Sequence, residues 1–190
     1  MDTGVDVAVG VDAVVLAAVA PVIHAGRPAP DLVGSSAPHD FERVYATAFD
    51  DLLRYAFLLT GSRHVAEELV QDCFLRAHAR WSTIDTPKAY LRTSVTHACR
   101  SQQRRWMLER AKAPAPALVE TNDPEIVELR ASLLRLPYRQ RAAVVLRFYV
   151  DLPDHEIAEI LGCRHATVRS LIHRGLAVLR EEVGPDVRGE

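Results

Sequence analysis

At 190 residues the chain has room for one large domain or two small ones, since domains commonly run about 100–200 residues. Its 48% hydrophobic and 25% charged residues are the balance of a globular protein with a buried core, which excludes a globally disordered chain. The net charge of −2 excludes little, because a polyanionic partner is read from where the arginines and lysines fall, not from their sum.

Val5 to Ile23 is mostly apolar, yet neither a signal peptide nor a membrane span fits it. The start carries Asp2 and Asp6 in place of cations, and a span would take Asp6, Gly10, Asp12 and Pro21 through lipid. Ala25 to Pro38 is rich in Pro, Gly and Ser and has no helical or strand period. Residues 1–39 therefore read as a poorly ordered accessory extension.

From Phe41 the pattern turns helical. Phe41, Val44, Tyr45, Phe49, Leu52, Leu53, Phe57 and Leu58 recur at three- and four-residue steps, and Gly61 follows as a stop. A second helix starts at Ser62, a plausible N-cap. It sets Val65, Leu69, Cys73 and Ala77 on one stripe with Val70, Phe74 and Leu75 beside it, and Glu67, Glu68, Gln71 and Asp72 on an acidic face free to meet a partner. Thr86 before Pro87 predicts a third helix, from Pro87 to about Trp106, because proline at the first helical position gives up no needed hydrogen bond.

Pro114 and Pro116 interrupt any helical stripe between Ala111 and Asn122, a natural boundary whose dozen residues stretch ~40 Å at most. Helical periodicity resumes from Asp123 to about Val183. Leu129, Leu133, Leu134 and Leu136 lead into Pro137, then Ala142, Val144, Val145, Leu146 and Tyr149 form another stripe. After Asp151 and Pro153 come a short helix with Ile157, Ala158 and Leu161, a turn at Gly162, and a longer helix with Val168, Leu171, Ile172, Leu176 and Leu179. No segment asks for a strand. The fold class is all-α: a three-to-four-helix N-terminal bundle over 40–110 and a C-terminal helix-turn-helix domain over 123–184, joined by a flexible proline-containing linker at 111–122 and followed by a tail at 185–190.

The stretch from His155 to Arg180 is the most informative. Two helices of about two and four turns around Gly162 describe a helix-turn-helix, whose second helix enters the major groove. The first carries Asp154, Glu156 and Glu159 and would repel phosphate, whereas Arg164, Arg169, Arg174 and Arg180 come with no acidic residue between them. Arg169, Ser170 and His173 fall near the N-terminal half, where side chains reach base edges and Arg pairs bidentately with guanine. The plainer reading, an exposed cationic helix in a bundle, needs the turn glycine, the apolar wedge and the charge split all to be coincidental.

A second basic region holds Lys88, Arg92, Arg100, Arg104, Arg105, Arg110 and Lys112 against Glu109 alone, with Tyr90 and Trp106 interleaved. Cations for a backbone and flat rings for bases are what a single-strand or melting surface requires. Tyr90 alone reads more readily as core, and Trp81 is either a hydrophobic plug or a stacking platform. The odd and scattered Cys73, Cys99 and Cys163 make no disulfide framework and read as small buried hydrophobes in a reducing cytosol. His97 with Cys99 and Cys163 with His165 have two-residue spacing and no partner pair at a zinc-finger interval, so no metal is expected. With no phosphate loop and no nucleophile elbow, neither a catalytic residue nor a cofactor is expected, and the chain reads as no enzyme.

From about Phe41 to Val183 the chain resembles the extracytoplasmic-function sigma factors of bacterial RNA polymerase, particularly the short actinobacterial type. AEELVQDCFLRAHARW, Ala66 to Trp81, resembles the region 2 helix that clamps the β′ coiled coil of the polymerase. PKAYLRTSVTHACRSQQRR, Pro87 to Arg105, resembles the adjoining helix that reads and melts the minus-ten element. Leu136 to Arg180 resembles region 4, which binds the minus-thirty-five element.

The resemblance implies polymerase docking by Glu67, Glu68, Gln71 and Asp72, and minus-ten recognition and melting by Lys88, Arg92, His97, Arg100, Arg104, Arg105 and Trp106. It implies upstream-element contacts by Arg164, Thr167, Arg169, Ser170, His173 and Arg174. Implied partners are core polymerase through the β′ coiled coil and the β flap, promoter DNA, and an anti-sigma factor, in the cytoplasm and without membrane insertion. His97 stands where relatives usually carry Asn, Pro153 takes a common Ser position, and Arg164 replaces a small N-capping residue, a loss of about 1 kcal/mol. The other function class is a stand-alone helix-turn-helix regulator with an N-terminal sensing domain, which predicts tight operator binding by the chain alone.

Overall fold

A computed structural model describes residues 40–109 and 124–182. The expectations for the 1–39 extension, the 111–122 linker and the 185–190 tail lie outside these residues. Among the described residues there are seven α-helices and no strand. They are α1 (Asp40–Thr60), α2 (Arg63–His78), α3 (Pro87–Leu108), α4 (Pro124–Arg135), α5 (Tyr138–Phe148), α6 (Asp154–Leu161) and α7 (His165–Glu182), with a 3-10 turn at Trp81–Thr83. No described helix is long and apolar enough to cross a membrane.

Local chemistry sets the ends. α1 stops at Gly61, whose φ of +74° lies where a side chain is strained; its N–H donates to the Phe57 carbonyl at 2.7 Å. Ser62 caps α2 by accepting from the Val65 N–H at 3.4 Å, satisfying one of the donors a helix start leaves open. Pro87 opens α3 as expected, and the Thr86 carbonyl closes its first turn.

Helices α1, α2 and α3 pack together through Leu52, Tyr55 and Leu59 of α1, Val70, Cys73 and Phe74 of α2, and Leu91, Val95 and Cys99 of α3, all buried. One buried polar pair fixes their register. The Thr96 hydroxyl donates to the Arg92 carbonyl at 2.7 Å, so it accepts the Tyr55 hydroxyl, also at 2.7 Å. Such a satisfied pair avoids the penalty of an unpaired buried oxygen.

The predicted stripe of α2 is turned by one position. Ala66, Val70, Cys73, Phe74 and Ala77 are buried, Val65 and Leu69 are only half-buried, and Leu75 is 69% exposed. Small Ala66 and Ala77, both wholly buried, let α2 lie close on its neighbours, a demand that ranking by hydrophobicity does not register. Cys73 and Cys99 are buried as expected, but Cys163 is only half-buried, because it follows Gly162 in an exposed turn.

The second set wraps α5, α6 and α7 around Leu146, Ile157, Leu161, Val168 and Leu171, with α4 laid across them. It also packs on the first set, α4 and α5 against α1 and α5 against α3. Two arginines clasp the C-terminal end of α1, where the last carbonyls have no helical donor. Arg130 donates from Nε to the Gly61 carbonyl at 2.9 Å and lies over the Phe57 ring at 5.7 Å.

Arg141, only 2% exposed, donates to the Leu59 carbonyl and, at 3.1 Å each, to those of Leu134 and Leu136. Burial lowers its pKa to about 10. On the α3 side, the Tyr138 hydroxyl donates to the Thr96 carbonyl at 2.6 Å, and His97 Nε2 lies 3.0 Å from the Ile160 carbonyl.

Candidate nucleic-acid interface

The two helices of the expected helix-turn-helix are joined by a turn that glycine makes possible. Gly162 sits left-handed (φ 59°, ψ 56°), its N–H donating to the Glu159 carbonyl at 3.2 Å while the Cys163 N–H donates to that of Ala158 at 2.9 Å. This paired arrangement satisfies the free carbonyls of α6 and reverses the chain. α7 then starts on the Arg164 carbonyl, which accepts from Thr167 and Val168 at 2.9 and 3.2 Å. Ile157, Ala158 and Leu161 meet Val168 and Leu171 as the buried wedge, which fixes the angle of α7 to α6.

On the outer face Arg164, Arg169, Ser170, His173 and Arg174 are exposed and Thr167 is half-buried. The Ser170 hydroxyl donates to the Ala166 carbonyl at 3.0 Å, and Arg174 Nε to the Ser170 carbonyl at 3.0 Å. Arg180, by contrast, is half-buried with an unpartnered Nε. The expectation that these arginines have no acidic neighbour fails twice, along the chain at Arg180, which Glu181 follows, and in space at Arg169. Arg169 Nε donates to Asp154 Oδ2 at 3.0 Å, because the helix-turn-helix angle lays the start of α6 beside α7.

Along α3, Lys88, Arg104 and Arg105 are exposed, while Arg92, Arg100 and Trp106 are half-buried. Lys88, Arg92, Arg100 and Arg104 stand at multiples of four residues and so follow one slowly winding stripe; Arg105 falls about a quarter turn further round. His97 is exposed but tied to Ile160 across the seam. Tyr90 and Trp81 both pack half-buried against the core, Trp81 edge-on to Phe41 with ring centroids 4.9 Å apart.

On α2, Glu68, Gln71 and Asp72 are exposed and Glu67 is half-buried. Glu68 pairs with His64 at 3.4 Å. The exposed Leu75, three residues after Asp72 and four after Gln71, lies in the middle of this acidic face. Sequence reasoning assigned Leu75 to the core and read Asp154 only as an acidic residue that repels phosphate, missing its contact with Arg169. A helical wheel centred on Gln71 and Asp72 would have found the first; the second depends on a tertiary angle.

Burial pushes the thiols of Cys73 and Cys99 up, which keeps them protonated and poor nucleophiles. Among the described residues no group of three or more His, Cys, Asp or Glu is placed to hold a metal.

Residues 44–106 match the family described as Sigma-70 region 2, and residues 126–179 match Sigma-70, region 4. The RNA polymerase sigma-E factor of Streptomyces coelicolor is 34% identical over 154 residues, covering 76% of this chain and 86% of that one. The chain belongs to the sigma-70 family, as an extracytoplasmic-function sigma factor.

Two solved sigma factors share the fold. RpoE of Bartonella quintana, solved with the anti-sigma factor NepR, superposes with a TM-score of 0.64 at 25% identity, over 79% of this chain and 99% of its own. The extracytoplasmic function sigma factor SigJ of Mycobacterium tuberculosis gives 0.53 at 30% identity, over 73% of this chain and 52% of its own. This sigma factor directs RNA polymerase to promoters at transcription initiation. The region 2 match takes α1 to α3, the helices that a stand-alone regulator would need for sensing.

Proposed function

We propose a division of labour within this sigma factor. The unit over 40–110 docks core polymerase through Glu67, Glu68, Gln71 and Asp72 on α2, and holds and melts the minus-ten element through Lys88, Arg92, His97, Arg100, Arg104, Arg105 and Trp106 on α3. The unit over 123–184 reads the upstream element through Arg164, Thr167, Arg169, Ser170, His173 and Arg174. The protein works in the cytoplasm as a non-catalytic subunit, and an anti-sigma factor of the kind bound to the Bartonella relative is a further partner.

The observation that carries this reading is the pairing of two cationic surfaces on separate helical sets. One is a helix-turn-helix with its arginines exposed, the other a basic helix beside an acidic one. Two modest contacts to one DNA raise effective concentration without either being strong. The test reconstitutes the purified chain with core polymerase, asks for run-off transcription and sequences the promoters selected. Transcription from promoters with two spaced elements is expected; tight, specific DNA binding by the chain alone with no polymerase association would overturn the reading.

A further inference from the structure

We propose that Asp154 is a positioning residue for promoter recognition, holding Arg169 side-on so that the end of its guanidinium is presented to a guanine. This rests on the reading above in which Arg169 contacts the upstream element. Asp154 opens α6, where the helix dipole favours a carboxylate, and its side chain is only 17% exposed. Its Oδ1 accepts from Arg147 Nη2, and the same guanidinium reaches back from Nη1 to the Leu152 carbonyl at 2.9 Å. Leu152 itself is buried. The carboxylate is therefore fixed on both sides by α5 and the turn before α6, leaving Oδ2 aimed at α7.

Onto that fixed oxygen Arg169 donates its Nε at 3.0 Å, while its side chain stays 79% exposed. The atom used is what matters. A guanidinium tethered by Nε keeps Nη1 and Nη2 for another ligand, and among the described residues nothing takes them. Those two amines are the fork that matches guanine O6 and N7. A long, exposed side chain so tethered loses less freedom when it binds. An acidic residue near DNA also repels phosphate, so its effects on selectivity and on bulk affinity have opposite signs.

That opposition makes the test specific. Holoenzyme reconstituted with the full chain is offered promoters randomised through the upstream element, and base preference is measured position by position. Arg169→Ala is expected to relax preference at one base pair by roughly five-fold or more. Asp154→Ala should relax the same pair, by a smaller factor, while its binding to unselected DNA is unchanged or tighter. The double variant should be no more relaxed than Arg169→Ala alone, since the two act through one contact.

Asp154→Ala that keeps full preference at that pair, or that weakens every position equally, would overturn the inference and leave the Arg169 reading standing. Arg169→Ala without a local effect would remove the reading itself. Because Asp154 also holds Arg147, thermal unfolding is run on each variant, and Asp154→Asn, which keeps the shape and one amide oxygen, carries the comparison should the alanine variant not fold.

Discussion

Arg141 shows how a charge can be structural with no partner of opposite sign among the described residues. Its guanidinium serves three carbonyls, those of Leu59, Leu134 and Leu136, from a wholly buried place between the two helical sets. Arg141→Ala would strand those oxygens and open a void. We expect a loss of about 2–4 kcal/mol, measured as a lower urea midpoint. The sequence offered no warning, because an arginine between Gln140 and Ala142 on an otherwise apolar helix looks like a solvated one. Burial of this kind depends on which face a distant helix covers. Gly162, Ser62 and Pro87, whose roles are set within a few residues of chain, are by contrast legible in the sequence.

At the scale of a helix, α2 carries the sharpest expectation. Its exposed face sets Leu75 among Gln71, Asp72 and Glu68, an apolar centre with a charged rim, the pattern of a protein-binding surface. Glu68→Lys should weaken association with core polymerase roughly ten-fold or more and leave DNA contacts of α7 untouched; unchanged holoenzyme formation would remove α2 as the docking face. Leu75→Ala should cost binding a similar factor but shift unfolding by no more than about 0.5 kcal/mol, because the side chain already faces water. Periodicity located α2 and its N-cap correctly and mistook its rotation. A helix in which apolar residues fall on most of its circumference leaves the buried side to be chosen by small residues such as Ala66 and Ala77.

Taken whole, the molecule brings its two helical sets against each other. Thr96 and His97, on the helix assigned to the minus-ten element, are held by Tyr138 and by the Ile160 carbonyl of the helix-turn-helix. Neither modules nor motifs foretold this contact, since no residue of it has a partner nearby in sequence. Tyr138→Phe combined with Arg130→Ala removes the Thr96 and Gly61 contacts of the seam. Small-angle scattering of that variant is expected to give a larger radius of gyration than the parent chain, and an unchanged radius would show that apolar packing with the Arg141–Leu59 and His97–Ile160 contacts suffices to hold the two sets together.

The same seam gives Gly61 an importance that its place at a helix end conceals. A β-carbon there would lie 2.5 Å from Leu134 Cδ1, and the backbone carries a φ of +74°, while its carbonyl takes Arg130. The missing side chain is therefore a spacer of zero thickness between halves of the protein. A methyl group at this point strains the backbone and makes the half-buried Leu134 turn aside, so one alanine far from either cationic surface would loosen the joint on which both rest.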